Sequence, residues 1–207
     1  HYKNLCTLCG KCSEVCRNHC ISLKKGLRIY DKTNCIVCGA CAESCPNSAI
    51  RLAGKDVTVG DVVSIVKQDY LFYLNSGGGA TIGGGEPTMQ PEFLHALLLQ
   101  LKKIGIHTAM ETCGYADYEV FQRVLPSLDL ILFDVKHVDP VKHQHFTGKD
   151  NTPILDNLSK LLSRGVPMIV RIPLIHGFND DPDAIRGICT FLAEHDASGS
   201  VERIELL

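Results

Sequence analysis

The stretch Cys6-Thr-Leu-Cys-Gly-Lys-Cys-Ser-Glu-Val-Cys16 returns as Cys35-Ile-Val-Cys-Gly-Ala-Cys-Ala-Glu-Ser-Cys45, so the pattern Cys-x2-Cys-x2-Cys-x3-Cys occurs twice. Gly10 and Gly39 follow the second cysteine of each copy, where the backbone has to turn tightly. Nine of the eleven cysteines lie between residues 6 and 45. Such a density is typical either of a disulfide framework or of a metal site, and the spacing has to decide between them.

The spacing predicts two [4Fe–4S] clusters, because the fourth cysteine of such a run ligates the cluster of the other run. One predicted cluster is held by Cys6, Cys9, Cys12 and Cys45, and the second by Cys35, Cys38, Cys41 and Cys16. Cysteines separated by only two residues make strained disulfides, and zinc does not require a third close cysteine with a fourth after three residues. Three cysteines lie outside the pattern: we expect Cys20 to be a bystander, and Cys113 and Cys189 to be small core residues.

The charge distribution agrees with bound clusters. Residues 1–54 carry eight Lys/Arg against three Asp/Glu, a balance of +5, although the whole chain has a net charge of −2. An oxidised four-thiolate cubane carries about −2, so two clusters offset most of this excess. The excess also favours an acidic electron donor such as a flavodoxin. The chain has no strongly basic stretch and no apolar run near ~18 residues, so we expect neither a nucleic-acid partner nor a membrane span.

From residue 55 onward the sequence alternates between apolar strands and helices. Strands are predicted at 80–83, 106–111, 128–135, 167–174 and 201–207, and helices at 61–67, 90–104, 118–125, 154–164 and 182–195. Strands separated by helices favour an α/β fold, with a parallel sheet or the wall of a barrel.

Polar residues gather where these strands end. Gly84-Gly85-Glu86-Pro87 follows the first strand, and the later strand ends carry Glu111 and Thr112, Asp134 and Lys136, and Arg171. Singly, these residues could form a turn, a solvated ion pair or a cap on a barrel rim. Because the carboxyl ends of parallel strands share one edge, we expect a common ligand site there. A carboxylate, an ammonium and a guanidinium suit a zwitterionic ligand with an α-amino-acid end.

With these residues in hand, the chain resembles the activating enzymes of glycyl-radical enzymes, in the radical S-adenosylmethionine (SAM) superfamily. The resemblance is carried by Ser76-Gly-Gly-Gly-Ala-Thr-Ile-Gly-Gly-Gly-Glu-Pro87, Met110-Glu-Thr-Cys-Gly114, Leu132-Phe-Asp-Val-Lys-His137 and Val170-Arg-Ile-Pro-Leu-Ile-His176. It implies a partial radical SAM (β/α)6-type barrel over residues 55–207. An N-terminal α+β two-cluster ferredoxin-like domain is implied for residues 1–54.

The resemblance also implies roles for the residues at the strand ends. Gly84, Gly85 and Glu86 are similar to the segment that binds the amino group of SAM. A set that holds a monovalent cation near the SAM carboxylate is matched by Glu111, Thr112 and Asp134. Lys136 and Arg171 resemble further contacts to SAM, and the loop 76–79 resembles one that admits the target glycine of a partner.

The implied activity is reductive cleavage of SAM to a 5′-deoxyadenosyl radical, which installs a glycyl radical on a partner enzyme. A third [4Fe–4S] cluster is expected on a Cys-x3-Cys-x2-Cys motif upstream of His1, so the catalytic cysteines would precede this chain. The chain is expected to be a piece, truncated at both ends and inactive by itself. The expected electron donor is a flavodoxin or ferredoxin, and the expected compartment is an anaerobic cytoplasm.

Two other functions remain open. An iron–sulfur electron-transfer or adaptor protein would account for the eight cysteines equally well, but it leaves the strand-end residues unexplained. The second is a radical SAM enzyme that acts on a small molecule, against which the glycine run 76–81, joined to the ferredoxin-like insert, favours the protein-activating branch. The sequence does not indicate which glycyl-radical enzyme would be the partner.

Overall fold

The computed structural model describes residues 1–207 and divides into two compact units, His1–Val57 and Thr58–Leu207. The two units differ in how they are held together. The first has few buried side chains, and the second has an extended apolar core. Each unit is described by itself below.

The first unit contains two one-turn helices and one hairpin. Helix α1 is Lys11–Glu14, strands β1 and β2 are Ile21–Lys24 and Leu27–Tyr30, and helix α2 is Ala40–Glu43. The strands pair antiparallel around Lys25 and Gly26, which both have positive φ (49° and 72°), as a tight two-residue hairpin turn requires. This hairpin was not predicted, because its strands are only four residues long and show too little of an alternating pattern.

The second unit is α/β. Its helices are α3 Val59–Val66, α4 Tyr70–Ser76, α5 Pro91–Lys103, α6 Tyr118–Val124, α7 Pro140–Thr147, α8 Thr152–Ser163 and α9 Pro182–His195. Its strands are β3 Gly79–Ile82, β4 His107–Thr112, β5 Leu130–Asp134, β6 Met168–Ile172 and β7 Val201–Leu206. All five predicted strands and all five predicted helices are present, with boundaries shifted by one to two residues at most ends.

The five strands form one parallel sheet in the order β3-β4-β5-β6-β7, which is the order of the chain. This confirms the predicted parallel α/β architecture. The strands β3 and β7 each pair on one side only, so the sheet is an open wall and does not close into a barrel.

The core lies where the strands face the helices. Met110, Ile131, Phe133 and Val170 point from adjacent strands into one apolar cluster and are fully buried. Apolar side chains of α5, α6, α8 and α9 pack against them, among them Leu98, Phe121, Leu158, Leu161 and Ile188. Full burial of such a side chain contributes roughly 1.5–3 kcal/mol, so this cluster holds the sheet against its helices.

Two helices of the second unit were not predicted. Helix α7 has almost no apolar stripe, and its start depends on Asp139, whose carboxylate accepts hydrogen bonds from the N–H groups of Val141 and Lys142. Helix α4 packs only the half-buried Tyr70 and Tyr73 against the core and exposes Leu71 and Phe72 to more than 70% each, so its apolar residues do not form a continuous stripe. Hydrophobic periodicity, which identified the other helices, is therefore absent from both.

No helix of the chain combines the length and the apolar character needed to cross a membrane.

Gly79 is required by the close approach of two strands. It begins β3 opposite His107, and a Cβ placed on it would lie 1.9 Å from the His107 carbonyl oxygen. That neighbour is backbone and cannot rotate away. We expect Gly79→Ala to lower the free energy of unfolding by roughly 1–3 kcal/mol through overpacking.

The measurement is denaturant unfolding followed by circular dichroism, with Gly60→Ala as the control. A Cβ at Gly60, in helix α3, meets only Thr58 Oγ1 at 3.6 Å, an ordinary contact, so this change should be neutral or slightly stabilising. Equal unfolding midpoints for the two variants would contradict the close-approach argument.

Candidate functional site

The eight cysteines of the two runs line two separate cavities of the first unit. One cavity is lined by Cys6, Cys9, Cys12 and Cys45, and the other by Cys16, Cys35, Cys38 and Cys41. Each cavity takes three thiols from one run and the fourth from the other run. The cavity of Cys6, Cys9, Cys12 and Cys45 has a volume of about 360 Å³, and the other has about 1500 Å³, both including the adjoining solvent. The structure thus brings together the same two crossed sets that the spacing predicts.

The two runs have the same backbone. Leu8 and Val37, each just before the second cysteine, have φ of 56° and 54°, and the glycines after that cysteine have φ of 87° and 84°. A left-handed conformation is unusual for any side chain and strained for a β-branched one such as Val37. The same strained turn therefore occurs twice, and it points successive thiols to one side of the chain.

Backbone N–H groups donate to the last cysteine of each run. Cys20 N lies 3.3 Å from Cys16 Sγ, and Ala49 N lies 3.3 Å from Cys45 Sγ. The bond from Cys20 is the main cause that lowers the pKa of Cys16. Burial alone would raise the pKa of Cys45, but the bond from Ala49 and its neighbours lowers it overall. Both thiols are biased toward the thiolate, the form that binds metals.

The first cysteine of the second run has two donors. The Tyr30 hydroxyl is the main cause that lowers the pKa of Cys35, followed by Val37 N, which lies 3.4 Å from Cys35 Sγ. Cys41 differs, because burial raises its pKa and the charge of Arg28 offsets this only in part. This cavity therefore has a cation and a hydroxyl beside its sulfur atoms.

These residues fit a polynuclear cluster. No group of three or more His, Cys, Asp or Glu side chains is spaced to hold a single metal ion, whereas a cubane distributes its four thiolates over four iron atoms. All eight cysteines are free thiols. Arg28 Nε is buried without a hydrogen-bond partner, and Arg28 lines the larger cavity. A buried donor next to four thiols is satisfied when negatively charged sulfur occupies the cavity.

The three remaining cysteines differ from one another. Cys20 is buried beside the larger cavity, and burial raises its pKa to about 11. Cys113 is half-buried, and burial raises its pKa. Cys189 is exposed on helix α9, so the prediction of a core position was wrong for this residue. Position 189 falls on the solvent side of that helix.

In the second unit, the Glu86 carboxylate is the centre of a hydrogen-bond network at the end of β3. Its Oε1 accepts from the hydroxyls of Thr88 at 2.7 Å and Thr112 at 2.8 Å, and its Oε2 accepts from Cys113 N at 2.8 Å. Burial would raise the pKa of Glu86, but these hydrogen bonds outweigh it and hold the pKa below its ordinary value. Glu86 thereby ties the loop after β3 to the end of β4.

The glycines before Glu86 leave backbone accessible. Gly84 has φ of 127°, and a Cβ placed on Gly84 or Gly85 would meet nothing within 4 Å. At Gly83, by contrast, a Cβ would lie 2.9 Å from Glu111 Oε2. The loop is thus packed against β4 at its first glycine and open at the next two, where its N–H and C=O groups can reach a ligand.

Arg171 joins the ends of β4, β5 and β6. Its guanidinium lies 2.8 Å from Glu111 Oε1 and donates through Nε to Asp134 Oδ1 at 2.9 Å. Asp134 is the direct partner of Arg171 in the parallel register. Burial would lower the pKa of Arg171, whose side chain is 16% exposed, but the two carboxylates raise it overall. The guanidinium is therefore held by protein carboxylates on two sides.

The predicted set of Glu111, Thr112 and Asp134 is not brought together as one group. Successive side chains of a strand point to opposite faces, so Thr112 joins Glu86 while Glu111 and Asp134 meet Arg171.

Lys136 has an unpaired side chain at the same edge of the sheet. It is half-buried and forms no ion pair within 4.0 Å. Its backbone is anchored by Asn179, a fully buried side chain whose amide donates to Lys136 O at 2.7 Å and to Pro173 O at 2.9 Å. His176, in the loop after β6, is fully exposed, and its Nδ1 lies 2.8 Å from Asp180 Oδ2.

Asn179 was not among the predicted site residues. It joins the loop after β5 to the loop after β6, so that the chain segments with Lys136 and Arg171 keep a fixed relation. The only sequence signal was a polar residue within Gly177-Phe-Asn-Asp180, which also reads as an ordinary turn.

Comparisons with known proteins agree with this arrangement. The sequence model of the Radical SAM superfamily matches residues 34–186. The choline trimethylamine-lyase activating enzyme of Oleidesulfovibrio alaskensis is 41% identical over 99% of this chain and 67% of its own length. The isethionate sulfite-lyase activating enzyme of Nitratidesulfovibrio vulgaris is 40% identical over 90% of this chain and 53% of its own. The chain therefore spans about half to two thirds of the length of these relatives.

A solved domain of pyruvate-formate lyase-activating enzyme from Bacteroides vulgatus is 37% identical to the chain, with a TM-score of 0.57. The alignment covers 62% of this chain and 79% of that domain. The family match covers most of the second unit and the second cysteine run. The chain thus belongs to the radical SAM superfamily, and its relatives there are activating enzymes of glycyl-radical enzymes.

Proposed function

We propose that this protein is a glycyl-radical-enzyme activase, which cleaves SAM reductively and installs a glycyl radical on a large partner enzyme. The observation that carries the proposal is the set of groups at one edge of the parallel sheet. There the open Gly84-Gly85 backbone follows β3 and the unpaired ammonium of Lys136 follows β5, while the carboxylate-held Arg171 lies at the end of β6. The names of the relatives, activating enzymes for lyases and a decarboxylase, support the same function.

The groups divide the α-amino-acid end of SAM between them. The open carbonyl groups of the Gly84-Gly85 loop accept from the amino group, and the Lys136 ammonium donates to the carboxylate. Glu86 does not contact SAM in this arrangement, because four protein donors already occupy its oxygens. It acts as a positioning residue that holds the glycine loop against β4.

Glu111, Asp134 and Arg171 together carry a net charge of −1, since two carboxylates face one guanidinium. Glu111 is the more exposed of the two carboxylates and keeps Oε2 outside the pair with Arg171. A monovalent cation next to Glu111 would neutralise the group, and we retain it as part of the proposal. Arg171 then supports the site by fixing both carboxylates and does not itself bind SAM.

When bound, a [4Fe–4S] cluster and SAM supply the one-electron reductive cleavage whose product radical removes a hydrogen atom from a backbone glycine of the partner. The residues of the second unit bind and orient the methionyl end of SAM. In the first unit, the two crossed sets of four thiols hold two further [4Fe–4S] clusters. The net charge of +5 on residues 1–54 favours an acidic flavodoxin or ferredoxin as the electron donor. The proposed compartment is an anaerobic cytoplasm.

Replacement of Glu86 by glutamine tests the loop. Glutamine keeps the size but replaces one acceptor oxygen by an NH2 group, which faces donors of Thr112 or Cys113. An unsatisfied buried donor costs about 1–3 kcal/mol, so we expect 5′-deoxyadenosine formation from SAM to fall at least about fivefold. The assay uses protein extended upstream of His1, reconstituted with iron and sulfide and reduced without oxygen.

Glu92→Gln is the matched control, because Glu92 pairs with Arg123 on the exposed surface of α5. Full activity of Glu86→Gln would contradict the positioning role. Intact, reducible clusters without any 5′-deoxyadenosine in the parent protein would favour the electron-transfer alternative. Cleavage coupled to a metabolite, with no glycyl radical in a partner, would favour a small-molecule substrate.

Replacement of Lys136 by methionine tests the carboxylate contact. The loss of a charge-assisted hydrogen bond costs about 1.5–3 kcal/mol, so we expect the KM for SAM to rise at least about tenfold. Lys142→Met removes the same charge from an exposed side chain 3.9 Å from Asp181 and should leave KM unchanged. A KM that is the same in both variants would remove Lys136 from the binding site.

The iron content tests the two cysteine sets separately. Cys9→Ser and Cys38→Ser each remove one exposed ligand from a different cavity. We expect each variant to lose up to about four iron atoms per chain, because one cubane is destabilised and the other is kept. Cys189→Ser, on the surface of α9, should lose none. Unchanged iron in both cavity variants would argue against two clusters.

A further inference from the structure

Arg28 is a cation next to one of the two cysteine cavities. It is the second residue of β2, opposite Leu23, and its side chain lines the cavity of Cys16, Cys35, Cys38 and Cys41. The Nε atom is buried without a hydrogen-bond partner, and the guanidinium forms no ion pair with any carboxylate. Its carbon Cζ lies 5.4 Å from the centre of the Tyr30 ring, which supports the guanidinium from one side.

The other cavity is not lined by any buried cation, and the charge of Arg28 reaches it only weakly, as the last of the causes that lower the pKa of Cys45. The only Lys or Arg that lines the cavity of Cys6, Cys9, Cys12 and Cys45 is Lys11, which is exposed. The repeat does not supply a second copy, because the position 29 residues after Arg28 is Val57. Arg17 and Arg51 also line the larger cavity, but both are exposed. Arg28 is thus the one partly buried positive charge beside the thiols.

We propose that Arg28 makes the cluster held by Cys16, Cys35, Cys38 and Cys41 the more easily reduced of the two in this unit. The inference rests on the proposed binding of two clusters. Reduction takes one electron from a one-electron protein donor and changes the charge of a four-thiolate cubane from about −2 to −3. A nearby cation stabilises the reduced form more than the oxidised form, and it does so most strongly where water is excluded.

Because only one cavity has a partly buried cation, the two clusters differ in how readily they accept an electron. An electron that enters the first unit resides preferentially on the cluster beside Arg28, whichever cluster receives it first. Exposed Arg17, Arg51 and Lys11 contribute less, because solvent and salt screen their charges. Arg28 therefore acts through its charge, which stabilises the reduced cluster, and does not bind the iron.

The test is a redox titration of the full-length, reconstituted protein, followed by electron paramagnetic resonance. In Arg28→Gln we expect the reduced-to-oxidised ratio of one cluster to fall on the order of tenfold at a given potential. A tenfold change corresponds to a midpoint about 59 mV lower for a one-electron couple. Cys38→Ser identifies which signal belongs to that cluster, since Cys38 lines only the cavity of Arg28.

Arg51→Gln is the matched control. It removes the same charge from an arginine that stacks on Tyr2 at 5.2 Å and lines the same cavity, but is exposed. We expect a clearly smaller shift. An equal shift in Arg51→Gln would overturn the assignment to Arg28, because it would show a general effect of surface charge.

Arg28→Lys covers the case in which the glutamine variant does not retain its clusters. Lysine keeps the charge but lacks the buried Nε–H, so the midpoint should fall by less than in Arg28→Gln. An unmoved midpoint in Arg28→Gln would overturn the inference, and so would a tenfold effect in Arg28→Lys, because the charge is kept there. Absence of these clusters from the parent protein, shown by its iron and sulfide content, would overturn the proposed function instead.

Discussion

In-register pairing of parallel strands is the constraint on which the second unit depends. The register places Asp134 beside Arg171, and Glu111 one strand further along. These residues are distant in the chain, and only the common direction of the strands brings their carboxyl ends to one edge. The apolar core beneath, with Phe133 and Met110 fully buried, keeps this register, because a slip of one residue would turn every side chain to the opposite face.

Two charged residues organise that edge in different ways. Glu86 accepts hydrogen bonds from four protein donors, so its carboxylate stabilises the fold of the glycine loop. Arg171 is held between two carboxylates. Lys136 lacks such a partner, and this difference is what the proposed contact to the SAM carboxylate rests on. The contrast separates residues that shape the site from one that is free to bind, a distinction that residue type alone does not make.

The first unit combines a repeated part with an unrepeated one. The two cysteine runs share left-handed turns and the same N–H to sulfur bonds, as at Cys16 and Cys45. The hairpin of β1 and β2 occurs once and brings Arg28 and Tyr30 to one cavity. A near-symmetric frame therefore holds two sites whose electrostatic surroundings differ, and such surroundings tune the potentials of iron–sulfur clusters.

Much of this was predictable from the sequence alone. The cysteine spacing predicted the crossed sets of thiols that line the two cavities, since three-residue steps bring neighbouring thiols to one side of a turn. Apolar periodicity located the strands and five helices. Helix α7 was missed because Asp139 starts it with no apolar stripe. Only the tertiary structure decided that Thr112 joins Glu86, that Asn179 clamps two loops, and that Arg28 lies beside one cavity. These contacts depend on strand pleat, register and burial between segments that are distant in the chain. The spacing of residues along the sequence does not determine them.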